Sequence, residues 1–341
     1  MSSTNDQQPV PRWQPLVDLH CHVDGAARPG TLLELARGAG IALPADTVEE
    51  LLPHVQVSPG CRSLREFLLT FETFYPVLSV PGAMERVAHE LVEDAAADGV
   101  VHLEARFCPA LQAGESQDAA AVMKHVLAGL ESGGRATGIS WGAIVCCYRP
   151  LSLDVNAELI DLAIAHADRG VVAVDLAGPE DLPGAPFADS IRRAGEAGLG
   201  VTIHAGEAAG PESVREALDV LGATRIGHGV ALAEDDELRR RVAGDGVVLE
   251  CCLTSNLQTG AVPSLAEHPF ERFRAEGLAV TLNTDDPAVC GVQLSGELAL
   301  AAKQWDYDDE QLASLGHAAV DAAFIEPERA RELHALFAPD A

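Results

Sequence analysis

The order of apolar runs and helix-forming segments in this 341-residue chain predicts an α/β fold, a (β/α)8 TIM barrel with extra helices inserted after the first strand and at the C-terminus. Three observations carry that prediction. Eight short apolar runs alternate with Ala/Leu/Glu/Arg-rich segments of helical spacing. The runs are too apolar to leave one face in water, as expected for parallel strands covered by helices. Eight such units in a chain of this length fit a closed barrel. The alternative, a doubly wound open sheet, needs a Gly-rich phosphate turn after its first strand. This chain has DLHCHVDGAARPG there, with histidines in place of the glycines.

In chain order the predicted strands are Val17 to His22, Val100 to Phe107, Ile139 to Cys146, Val171 to Leu176, Val201 to His204, Arg225 to His228, Val247 to Leu253 and Leu278 to Thr284. Between them, helices are expected to open on capping boxes such as Thr31 to Glu34, Ser63 to Glu66 and Ser213 to Glu216, where a hydroxyl and an acid satisfy the first free backbone N–H groups. One insertion, from about Ala42 to Ala97, breaks the alternation and reads as helical, with Leu64, Phe67, Leu68, Phe71 and Phe74 on one face. That stripe suits packing against the barrel, and equally a lid with an apolar wall for a planar ligand. With no Gly/Pro/Ser-rich linker, internal repeat or low-complexity tract, residues 1–341 are read as one domain.

Composition narrows the function. A formal net charge of -29 and the lack of any Lys/Arg-rich run make nucleic acid an unsuitable partner. No apolar stretch nears the roughly 20 residues that span a bilayer. The first 15 residues lack the basic start and apolar core of a secretion signal. A cytoplasmic protein with no membrane partner is expected. The eight cysteines form no CxxC pair and sit mostly in apolar runs, so buried thiols are expected instead of a disulfide frame.

Barrel enzymes carry their chemistry where strands end, at the C-terminal mouth. His20 and His22 end the first run and, two residues apart on a strand, face the same way. His204 ends the fifth run and Asp285 follows the eighth. Three imidazoles and a carboxylate make a shell suited to one Zn2+ with room for water. Each residue alone could be ordinary, a satisfied core histidine or a helix cap; four at strand ends point to a metal. Nearby stand Glu207, His228 and Asp286, placed to shuttle a proton and to orient or deprotonate a water.

The stretches DLHCHVDGAARPGTLLELA, LEARFCPA, DLAGPE, TIHAGEAAGPESVREAL, RIGHGV, ECCLTSNLQTGAV, HPFERF and VTLNTDDPAVCGVQL, in order from residue 18 to about 294, resemble the bacterial members of the adenosine deaminase family of the amidohydrolase superfamily. The resemblance implies that His20, His22, His204 and Asp285 hold zinc, that Glu207 protonates purine N1, and that His228 and Asp286 handle the attacking oxygen. It further implies that Asp24 meets the ribose 5'-hydroxyl and that the Gly178 N–H meets purine N3. The implied reaction is hydrolysis of adenosine, and of 2'-deoxyadenosine, with release of ammonia. Two places differ from the family's common pattern, Pro179-Glu180 in place of an acidic pair and Ser295 to Leu298 in place of HEY. They leave a 5'-modified adenosine, such as aminodeoxyfutalosine or methylthioadenosine, and free adenine as alternative substrates. AMP fits less well, because Asp24 would repel a 5'-phosphate and Arg28 is the one cation near it in sequence. A nucleoside-binding barrel without catalysis is the remaining alternative, and intact Glu207, His228 and Asp286 speak against it.

Overall fold

The computed structural model describes residues 15–337. The N-terminal stretch read as lacking a secretion signal lies, Pro15 apart, outside them. Eight strands, β1 (Leu16–His22), β2 (Val100–Phe107), β3 (Ser140–Tyr148), β4 (Val171–Ala177), β5 (Gly200–Ala205), β6 (Arg225–His228), β7 (Val248–Cys251) and β8 (Ala279–Leu282), pair in sequence order, each parallel to the next. This is the predicted (β/α)8 barrel. Beyond β8, the chain returns to β1 through a bridge between Asp285 and Cys21, with His22 N donating to Asp285 O and Asp285 N to His20 O.

Two predicted strands run too far. β7 stops at Cys251 and Leu253 already opens a helix, Leu253–Gln258; β8 stops at Leu282, before Asn283 and Thr284. Of the three capping boxes, Ser63 alone caps its helix, accepting from Glu66 N. Thr31 and Ser213 lie inside helices that begin earlier, at Pro29 and Pro211. Proline at the first helical turn does the work there, since its fixed φ suits that position and its missing N–H is no loss. Ser213 instead accepts from Gly206 N, after β5.

The insertion is helical in short pieces: Val48–Val55, Leu64–Leu69, a 3-10 turn Thr70–Thr73, Tyr75–Leu78, and the long Ala83–Asp98. Three more helices, Leu294–Trp305, Asp309–Ala322 and Pro327–Leu336, follow the barrel as expected. All eight cysteines are buried free thiols. Among the described residues no helix is long and apolar enough to cross a membrane.

Candidate active site

The predicted residues converge at the carboxyl ends of the strands. His20 and His22 lie on one side of β1, as period-two alternation requires. His22 Nε2 is 3.3 Å from His204 Nε2, and Asp285 Oδ1 is 3.2 Å from His20 Nε2 and 3.4 Å from His22 Nε2. Donor atoms sharing a tetrahedral zinc at its usual bond lengths stand about 3.4 Å apart. The spacing, the N3O donor set and a buried His20 Nε2 with no hydrogen-bond partner all fit a metal ion. His228 also offers a nitrogen within 4.8 Å of donors from His20, His204 and Asp285.

The backs of these side chains are held. His20 Nδ1 bonds Glu250 Oε2 at 2.8 Å, and His204 Nδ1 lies 2.8 Å from Asp175 Oδ2. Those carboxylates keep a proton on Nδ1 and turn the Nε2 lone pairs toward one point. Arg106 bridges the same two oxygens, at 2.7 Å from Glu250 and 3.1 Å from Asp175, and donates to Leu19 O ahead of His20. Ser255 Oγ donates to Asp285 Oδ2, fixing the carboxylate's other edge. Glu250, Arg106 and Asp175 were not singled out from the sequence. A signal for them was there: Asp175 and Glu250 are lone charges inside apolar strand runs and Arg106 sits in another beside Glu104, and such charges are almost never buried unless paired.

His228 and Asp285 take left-handed backbone angles, φ 64° and 63°, an arrangement that costs on the order of 1–3 kcal/mol for a non-glycine and concentrates at functional sites. Glycine makes room elsewhere. A Cβ on Gly25 would lie 1.8 Å from Asp286 Oδ1, and Gly178, at φ +96°, lies where a Cβ would come within 2.7 Å of the Tyr148 ring.

Glu207 follows β5 and is buried. Its carboxyl is pushed well above the usual carboxylate range, first by burial and then by the charges of Asp285 and Glu180, the direction a proton donor needs. Glu180 holds the loop that carries it, accepting from the backbone N–H groups of Glu207, Ala208 and Ala209. Arg149 ties the ends of β4 and β5 together by donating to the carbonyls of Leu176, Gly178 and His204. Burial pushes His228 well below the ordinary imidazole value, keeping it neutral. Asp24, raised to about 6 chiefly by burial, accepts from Tyr75 Oη at 3.2 Å and Gln112 Nε2 at 3.0 Å.

Most of these groups face one cavity at the carboxyl mouth of the barrel. His22, His204, Glu207, His228, Asp285 and Asp286 line it, and Gly178 and Asp24 also reach it. Leu64, Phe67, Leu68 and Phe71 of the predicted stripe wall it, so that stripe packs and lines a mouth at once. Phe74 departs from the expectation: the chain breaks at its φ of -121°, its ring goes into the core, and Tyr75 lines the cavity instead. Among the described residues no lysine or arginine lines this cavity. Arg28 turns away to pair with Asp94 and Glu93.

A parallel barrel with a His/Asp cluster and a buried acid at its carboxyl mouth defines a metal-site hydrolase of amidohydrolase type. The family model for adenosine deaminases matches residues 15–338, and the chain belongs to that family. It is similar to the adenosine deaminase of Serratia proteamaculans, 40% identical over 321 residues covering 94% of this chain and 96% of the relative. Among solved structures it resembles the adenine deaminase of Arthrobacter aurescens, 29% identical with a TM-score of 0.87 over 95% of this chain and 98% of that one. The N6-methyl-AMP deaminase of Arabidopsis thaliana is 30% identical, with a TM-score of 0.82 over 95% and 96%.

Proposed function

We propose that this chain hydrolyses adenosine and 2'-deoxyadenosine, releasing ammonia, with one zinc held by His20, His22, His204 and Asp285. The observation that carries the reading is the single cavity joining the histidine/aspartate cluster, Glu207 and Gly178 to Asp24, with no cation among its lining residues. In this reading residues 1–341 work as one domain and the segment 42–97 is its lid.

The purine lies between Gly178, whose N–H meets N3, and Glu207, which gives its proton to N1. Protonation there withdraws electrons from C6 and opens it to water. Zinc, when bound, supplies a Lewis acid that lowers the pKa of water in the site toward neutrality. His228 orients the attacking water and Asp286 takes its proton. Asp286 then returns that proton to the amine, which leaves C6 as ammonia, while the C6 hydroxyl gives its proton back to Glu207 and becomes the carbonyl of the product. Aromatic and leucine side chains from the insertion exclude bulk water, which strengthens these charge interactions. Asp24 takes a hydrogen bond from the 5'-hydroxyl, while a 5'-phosphate would meet a carboxylate and no cation.

The test is a panel read by the change in purine absorbance, using adenosine, 2'-deoxyadenosine, adenine, AMP and 5'-substituted adenosines. Adenosine is expected to turn over best and AMP poorly. Glu207→Gln should keep about one zinc per chain while turnover is lost. A zinc-loaded protein inert on every 6-aminopurine nucleoside would sink the reading.

A further inference from the structure

His268 and Asn256 are buried polar residues that the mechanism above leaves unused. They join in a chain of hydrogen bonds that ends on His228. Phe270 N lies 3.1 Å from His268 Nδ1, His268 Nε2 lies 3.1 Å from Asn256 Oδ1, and Asn256 Nδ2 lies 3.0 Å from His228 Nδ1. The first of these contacts sets the direction of all the others. A backbone N–H can only donate, so His268 Nδ1 must accept. A neutral imidazole that accepts at one nitrogen carries its proton on the other. His268 Nε2 therefore donates to the Asn256 carbonyl. The amide can then present only its NH2 group to His228 Nδ1. Burial holds His268 down to about 4, which keeps it neutral and Nδ1 available as an acceptor. Turning the Asn256 amide over would set its NH2 against the His268 N–H and its carbonyl against His228.

We infer that Asn256 and His268 form a one-way relay that fixes His228 as the tautomer protonated on Nε2. His228 is held in the opposite sense to the proposed metal ligands. His20 and His204 meet carboxylate acceptors at Nδ1, so their Nε2 lone pairs are free. His228 meets an amide donor at Nδ1, so its Nε2 is an N–H. That N–H lies on the cavity side, 3.7 Å from Glu207 Oε2. His228 can then neither ligate the metal through Nε2 nor take a proton there. It donates a hydrogen bond to the attacking oxygen, His22 completes the ligand set, and deprotonation of the water falls to Asp286. Asn256 and His268 are positioning residues in this scheme. It rests on the proposed deaminase reading for the identity of the oxygen, but not for the tautomer.

The test is long-range ¹H–¹⁵N correlation spectroscopy on zinc-loaded wild-type protein carrying ¹⁵N-labelled histidine. The expected spectrum has His228 protonated on Nε2, with His20 and His204 protonated on Nδ1. A His228 protonated on Nδ1 overturns the inference, and this readout needs no variant. In Asn256→Asp a carboxylate acceptor replaces the donor and draws the proton to Nδ1. The spectrum should invert, and kcat should fall by up to about 10⁴-fold, the scale of a wrong catalytic tautomer, while KM and zinc content change little. Inversion with wild-type kcat overturns the role given to the N–H. The spectrum is equally readable in a protein that deaminates nothing, so failure of the relay and failure of the substrate reading are separate results.

Discussion

Glu297, in the SGEL stretch 295–298, lies outside the lining of the proposed active site. It is 2% exposed, accepts from Thr254 N at 3.1 Å and from the Thr254 hydroxyl, and is pushed up from 4.5 to about 7, mainly by burial. A group whose folded value is raised binds more protons in the native state than in the unfolded one. Its contribution is full below pH 4.5 and is lost as the pH rises through about 7. At 1.36 kcal/mol per unit, the loss is on the order of 3 kcal/mol. Glu297→Gln, which cannot ionise, should match wild type at about pH 4, below the unfolded value, and exceed it by roughly that amount at pH 8. Urea unfolding at the two pH values measures this. An equal difference between the proteins at both would show that Glu297 does not titrate across the window.

At the scale of elements, the aromatic stripe of the insertion both packs into the core and lines the cavity. Phe71 is 4% exposed and packs on Phe74 and Tyr75 at ring-centroid distances of 5.4 and 5.7 Å, while Leu69, two residues earlier, is 58% exposed. Phe71→Ala should destabilise by about 3–5 kcal/mol, as truncating a buried ring does, and should raise KM. Leu69→Ala should stay within about 0.5 kcal/mol with KM unchanged. Denaturation and steady-state kinetics on the pair decide it, and an unchanged KM for Phe71→Ala would remove the wall from the binding reading. The stripe was legible because helical period survives even when the helix is broken into Leu64–Leu69, Thr70–Thr73 and Tyr75–Leu78. The breaks were not, since a local φ change at Phe74 leaves no mark in the order of apolar residues. The strands and His20, His22, His204, Glu207, His228 and Asp285 were legible for a similar reason: apolar runs end where polar residues begin. Glu180, Arg149, Asn256 and His268 were not, because their partners lie on other loops and strand ends and pairing at that distance has no sequence period.

For the whole molecule, the decisive joint is the closure between β8 and β1. Seven neighbouring strand pairs share ladders, but the backbone pairing of β1 with the chain after β8 is the isolated Cys21–Asp285 bridge. Around it, Leu19 N donates to Asn283 Oδ1 at 3.0 Å and Thr284 Oγ1 to Asp18 Oδ2 at 2.6 Å. His20 and His22 stand on one side of this seam and Asp285 on the other, so the zinc proposed above would tie the seam shut. An ion present at a thousand times its dissociation constant stabilises by about 4 kcal/mol. For 341 residues, at about 2 cal/mol/K of unfolding entropy per residue, removing it should lower the melting midpoint by roughly 6 °C. Because the ligands span one seam, chelation should speed hydrogen exchange first at the amides of residues 19–23 and 283–286, ahead of the β2 and β3 ladders. A midpoint unmoved by complete zinc removal, or exchange rising evenly round the barrel, would place the metal's contribution somewhere other than the closing joint.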